Sequence, residues 1–167
     1  MKTKTKVLIV AAAIVTWFGF GIPAAKADET HCYTVASLEG TYAVIGTYGA
    51  NVALALAVRH FDGEGNLRGT FTLNEPTPGS TTGGRTIVTG TNVGTYTVNC
   101  DGTGVFTRIL TASNGVTATQ MDDFVITKAT MREGGLIATA LEDAQRTPSA
   151  IVAGGIFLIR SYTRRPD

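Results

Sequence analysis

Histidine, cysteine, tryptophan and charge are all scarce: the 167 residues include 2 His, 2 Cys and 1 Trp, and charged side chains make up 16%. Around His31 and Cys32 no second Cys or His stands at a ligand spacing, so no metal site is expected. A Ser-His-Asp hydrolase would have to depend on His31 or His60 alone. The Gly-x-Ser-x-Gly elbow, the phosphate-binding P-loop and the His-Glu-x-x-His zinc signature are missing. No cofactor is expected. Asp62, Glu64 and Asn66 invite calcium but lack the remaining ligands of a twelve-residue loop. Helical patterning is scarce too, with one candidate turn between Glu142 and Ser149 that Pro148 would end.

An excess of positive charge is missing where it would matter. The formal charge is +1, but Lys2, Lys4, Lys6 and Lys26 lie in the first 27 residues, and the remainder carries 10 basic against 13 acidic residues, a net −3. Nucleic acid as a partner loses its electrostatic basis. Hydrophobic residues, at 44%, are ample for a core.

Residues 1–27 combine a basic start, an apolar run from Val7 to Phe20 and a small-residue end, Ala25-Lys26-Ala27. This is the layout of a secretory signal peptide, and it predicts an exported protein, periplasmic or extracellular, starting at Asp28. The 14-residue run falls short of the roughly 20 residues needed to span hydrocarbon, so no transmembrane segment is expected in the mature chain. In an oxidising compartment, the only two cysteines, Cys32 and Cys100, read as a disulfide.

Residues 28–167 read as one domain. Thr accounts for 24 of these 140 residues and mixes with Val, Ile, Tyr and Phe in short stretches punctuated by Gly, Asn and Asp. These are strands and turns. Strands are expected at Gly40–Gly49, Val52–Phe61, Leu67–Asn74, Arg85–Gly90, Val93–Asn99, Val105–Ala112, Asp123–Met131, Leu136–Leu141 and Ala150–Tyr162, with Asp122-Asp123 in a turn. Short reversals at Asp62–Asn66, Cys100–Gly104 and Asn114-Gly115 make this an antiparallel meander. The fold class is all-β: a single antiparallel barrel of about eight strands, with a two-sheet sandwich as the alternative.

Leu38 to Tyr42 (Leu-Glu-Gly-Thr-Tyr), Phe61 to Asn66 (Phe-Asp-Gly-Glu-Gly-Asn) and Gly94 to Val98 (Gly-Thr-Tyr-Thr-Val) carry a resemblance. They resemble segments of small exported bacterial proteins, themselves mostly uncharacterised, whose architecture is similar to the calycin or allene oxide cyclase barrels. The resemblance covers roughly Leu38 to Leu110 and implies a fold; it brings no catalytic residue.

Leu67, Gly69, Phe71 and Leu73 alternate with polar neighbours and form one dry face. The strand before it is apolar on both sides, Val52, Leu54, Leu56 and Val58 against Ala53, Ala55, Ala57 and Phe61, and the last strand repeats this. Two such strands point to a homo-oligomer. Ionisable groups on otherwise apolar faces mark a pocket, because a buried charge costs several kcal/mol unless paired. His60, Arg108, Glu142 and Arg160 meet that description, and Tyr42 and Tyr96 join them as aromatic groups of a ligand-binding interior. The leading expectation is therefore an exported barrel that binds a small, mostly apolar molecule. A cofactor-free isomerase or cyclase acting on an apolar substrate is the second, and a structural or surface-interaction subunit without a pocket is the third.

Overall fold

A computed structural model describes residues 32–47, 53–77, 79–148 and 157–166. The signal segment, Tyr48 and the beginning of the expected last strand lie outside the described residues. A 3-10 turn, η1 (Val35–Leu38), precedes eight strands: β1 (Gly40–Thr47), β2 (Leu54–Phe61), β3 (Asn66–Pro76), β4 (Arg85–Val98), β5 (Thr103–Ala112), β6 (Thr117–Arg132), β7 (Gly135–Gln145) and β8 (Ile159–Arg164). Each strand pairs antiparallel with the next, and β8 pairs with β1 to close the barrel. The meander is a barrel and not a sandwich.

Period-two burial drives closure. In β5 Gly104, Phe106, Arg108, Leu110 and Ala112 are buried, while alternate positions such as Thr107, Ile109 and Thr111 are exposed. A sheet with one dry face must cover it, and rolling the sheet up covers that face and removes both edges. The tight turns follow the expected chemistry. Asp62 accepts the backbone N–H groups of Glu64 and Asn66 (2.8 and 2.9 Å), while Gly63 and Gly65 adopt φ of 80° and 103°.

Three local expectations are corrected. Arg85–Gly90 and Val93–Asn99 are one strand, β4, because Gly90 and Asn92 carry the inward alternation straight through. Asp122-Asp123 is not a turn but lies within β6, because inward Asp122 meets buried arginines and outward Asp123 pairs with Arg146 (2.6 Å). The candidate helical turn after Glu142 is strand through Gln145, ending β7; Ser149 lies outside the described residues.

Inside, the barrel is layered. One end holds an aromatic cluster: Phe61 meets Tyr42 and Tyr96 edge-on at 5.4 and 5.2 Å, and Phe106 stacks on Phe124 at 4.3 Å. Such pairs add about 0.5–1.5 kcal/mol each beyond the area they bury. η1 packs over this end, with Leu38 fully buried in the cluster. The Cys32–Cys100 disulfide, Cα atoms 4.5 Å apart, ties the segment before η1 to the β4–β5 turn. The opposite end carries a smaller apolar group, Ala53, Leu73, Val88, Ala112 and Leu158. Between the two lies a layer of charge.

Candidate ligand-binding site in the barrel interior

Three inward arginines form this layer, Arg59 on β2, Arg108 on β5 and Arg160 on β8, each at most 4% exposed. Two inward aspartates, Asp122 on β6 and Asp143 on β7, are equally buried. Arg108 donates through Nε to Asp122 Oδ2 at 2.7 Å and through Nη2 to Gln120 Oε1 at 3.1 Å. The other oxygen of Asp122 faces Arg160 Nη2 at 2.5 Å. Arg160 Nε donates to both oxygens of Asp143, at 2.8 and 3.0 Å. The Tyr162 hydroxyl donates to Asp143 and accepts from Arg59 Nη1. A single chain thus runs Arg59, Tyr162, Asp143, Arg160, Asp122, Arg108, Gln120.

Each arginine faces a glycine on the neighbouring strand: Arg59 opposite Gly69, Arg108 opposite Gly94, Arg160 opposite Gly46. A Cβ on Gly46 would stand 2.8 Å from Arg160 Cγ, so the glycine leaves room for the arginine stem. At Gly69 and Gly94 a Cβ would come within 2.3 and 2.0 Å of the Val58 and Thr107 carbonyl oxygens. These two glycines allow the backbones of adjacent strands to approach closely.

Protonation follows from the packing. Burial resists ionisation of Asp122, but the Arg160, Arg108 and Arg59 guanidinium groups outweigh it and hold the carboxyl below the usual range. Burial, with the like charges of Arg160 and Arg59, pulls Arg108 down to about 10, which still leaves it cationic at neutral pH. Burial raises the Tyr162 hydroxyl, so it stays neutral. By formal charge the layer sets three arginines against two aspartates. Glu75, also inward on β3, does not balance it. It lies six residues beyond Gly69, about 20 Å along the strand, and burial pushes its carboxyl up against the pull of Arg85.

Beside the layer is a cavity of about 40 Å³, room for two or three waters. Its polar lining is Arg59, Arg108, Arg160, Asn92 and Gln120, with no carboxylate; its apolar lining includes Ala55, Ala57, Phe71 and Leu158. Several lining atoms are buried without a hydrogen-bond partner among the described residues: Arg59 Nε, Gln120 Nε2 and both side-chain polar atoms of Asn92. Buried groups left in this state cost about 1–3 kcal/mol each. No protein-family model, curated protein or solved structure matches this chain.

Of the residues singled out from sequence, the fold brings Arg108 and Arg160 together through Asp122. Tyr42 and Tyr96 sit in the aromatic end with tethered hydroxyls. Tyr42 donates to the Ala138 carbonyl at 2.7 Å; Tyr96 donates to the Val35 carbonyl and accepts from the Gly63 N–H, both at 3.0 Å. Burial pushes the Tyr96 hydroxyl up to about 12. His60 and Glu142 share the outward parity of their strands; His60 bonds Thr41 Oγ1 at 3.3 Å, and Glu142 is exposed. Neither lines the cavity. Arg59, Asp122, Asp143, Asn92, Gln120 and Tyr162 were not anticipated there. Strand parity was the available signal, since Arg59 falls on the face of Ala55, Ala57 and Phe61.

Proposed function

We propose that this chain is an exported barrel that holds a small, mostly apolar molecule in its interior. The observation that carries this reading is the cavity itself: it is walled on one side by Ala55, Ala57, Phe71 and Leu158, and on the other by buried polar atoms without partners. Natural interiors rarely leave such groups unmatched unless something else satisfies them. The volume of about 40 Å³ restricts the part of the ligand that lies deepest to a few heavy atoms. Any longer portion extends toward Ala53, Leu73, Val88 and Ala112 at the same end of the barrel. The resemblance to small exported barrel proteins is consistent with this reading, and so is the disulfide, which belongs with an oxidising compartment. An isomerase or cyclase has less support, because His60 and Glu142, the residues best suited to move a proton, face outward. The test is native mass spectrometry of the protein recovered from its own source, repeated after unfolding. A non-covalent mass that leaves on unfolding is expected; a native mass equal to a whole number of unfolded chains, with nothing added, would overturn the reading.

Association with a second copy of this chain is also proposed, on the outer surface. Ile45, Leu54, Leu56 and Ile159, each 58–62% exposed, adjoin across β8, β1 and β2 with only Thr and Ser between them. A charge-free apolar stripe of this kind on neighbouring strands is matched by another of itself.

A further inference from the structure

We infer that the molecule held in the interior carries one carboxylate, bound among Arg59, Arg108, Asn92 and Gln120, with its apolar remainder directed toward Leu73 and Leu158. This rests on the reading of the barrel as a small-molecule binder and adds the class of ligand.

Charge count is the first ground. Three cationic guanidinium groups face two aspartates in a layer shielded from water on both sides, which leaves one positive charge uncompensated. A buried charge of that kind is strongly unfavourable unless a counter-charge accompanies it. Position is the second. Neither aspartate lines the cavity, which meets guanidinium and amide groups and no carboxylate. An anion entering it would meet three guanidinium groups and no like charge at contact distance. Unspent hydrogen bonding is the third. Arg59 Nε, Gln120 Nε2 and Asn92 Nδ2 are donors without partners, and each belongs to a side chain at most 3% exposed. A planar carboxylate has two oxygens with about four acceptor sites, a match for donors spread over a guanidinium edge and two amides. A single negative charge balances the surplus, whereas a dianion would reverse it. The apolar wall is the fourth. Phe71, Leu73 and Leu158 begin directly above the polar layer, so the group attached to the carboxylate is hydrocarbon.

The glycines opposite the arginines agree with this arrangement. Gly46 gives the stem of Arg160 the space to reach Asp143 and Asp122 together. Arg160 is thereby engaged with both acids, and Arg59 Nε remains for a ligand.

The test uses the whole oxidised protein, freed of any resident molecule by unfolding and refolding. Isothermal titration calorimetry is run with chains of 4, 8 and 12 carbons ending in a carboxylate, a hydroxyl or an ammonium group. At the best chain length the carboxylate should bind at least roughly tenfold more tightly than the alcohol, with the ammonium weakest, the ratio expected for one charge-assisted bond set. Equal affinity for carboxylate and alcohol would overturn the inference while leaving the interior a binder of apolar molecules. No heat and no complex with any of the nine probes would overturn both readings. Asn92→Leu, which removes an unpartnered side chain without touching the ion pairs, should weaken the carboxylate by roughly tenfold and the alcohol little. Equal weakening of both by this variant would mean that Asn92 shapes the wall and does not contact the head, against the site proposed.

Discussion

Asp122 is the residue on which the interior charge turns. It is fully buried and neutralises parts of two arginines at once, through Arg108 at 2.5 Å and Arg160 at 2.5 Å. Asp122→Asn keeps the shape but leaves three guanidinium groups facing one aspartate, and the protein should lose about 3–5 kcal/mol of stability, read from urea unfolding. The same residue sets the acid response. Its folded pKa lies below the unfolded value of about 3.9, so its contribution is fully present above that pH and is lost as pH falls through the folded value. Unfolding curves between pH 5 and pH 2 should show stability falling only below about pH 4, and the Asn variant should flatten that limb. A wild-type curve with no acid limb would sink this assignment. The exposed Arg146–Asp123 pair, by contrast, is screened by solvent and contributes little to stability.

Among the elements, β4 and β5 show why small residues recur at strand positions. Gly94 stands across from Arg108, and a methyl there would lie 2.0 Å from the Thr107 carbonyl oxygen. Gly94→Ala should cost about 1–3 kcal/mol by forcing the strands apart, whereas the same change at Gly79, with open space around it but a φ of 74°, tests backbone strain alone. Thermal melts of the two variants separate these causes. The same strands show what was legible from sequence. Turns at Asp62–Asn66, Cys100–Gly104 and Asn114-Gly115 carry their own chemistry, so element order and fold class could be read directly. Strand ends and the Asp122 site could not, because a lone aspartate beside a second one reads locally as a turn. Only three arginines contributed by other strands make it a strand residue. The candidate site is half visible for the same reason: Arg108 and Arg160 stand out on apolar faces, whereas His60, the outward neighbour of Arg59, draws attention away from it.

At the scale of the molecule, two constraints can be removed one at a time. Cys32→Ser with Cys100→Ser releases a loop with a sequence separation of 68, which should lower stability by about 2–5 kcal/mol without opening the barrel. Circular dichroism should therefore keep its β signature while the melting temperature falls. Leu56→Asp places a charge in the outer apolar stripe, where Leu56 is 61% exposed. Sedimentation should show the wild-type chain as a multimer and the variant as a monomer with unchanged fold; a monomeric wild type would remove the proposed self-association.

Closure of the barrel depends on pairing β1 with β8, the first strand with the last. Strands β1 through β7 alone would leave β1 and β7 each without a partner on one side. A sheet of that kind is open along two edges, and its interior face is wet. In such a sheet Arg59 and Arg108 would stand with Asp122 and Asp143, two charges against two. The eighth strand brings Arg160; it seals the sheet and tips the charge of the polar layer to positive. The wall and the surplus charge that the proposed carboxylate would meet thus depend on one short strand, and a chain shortened before Arg160 would have neither.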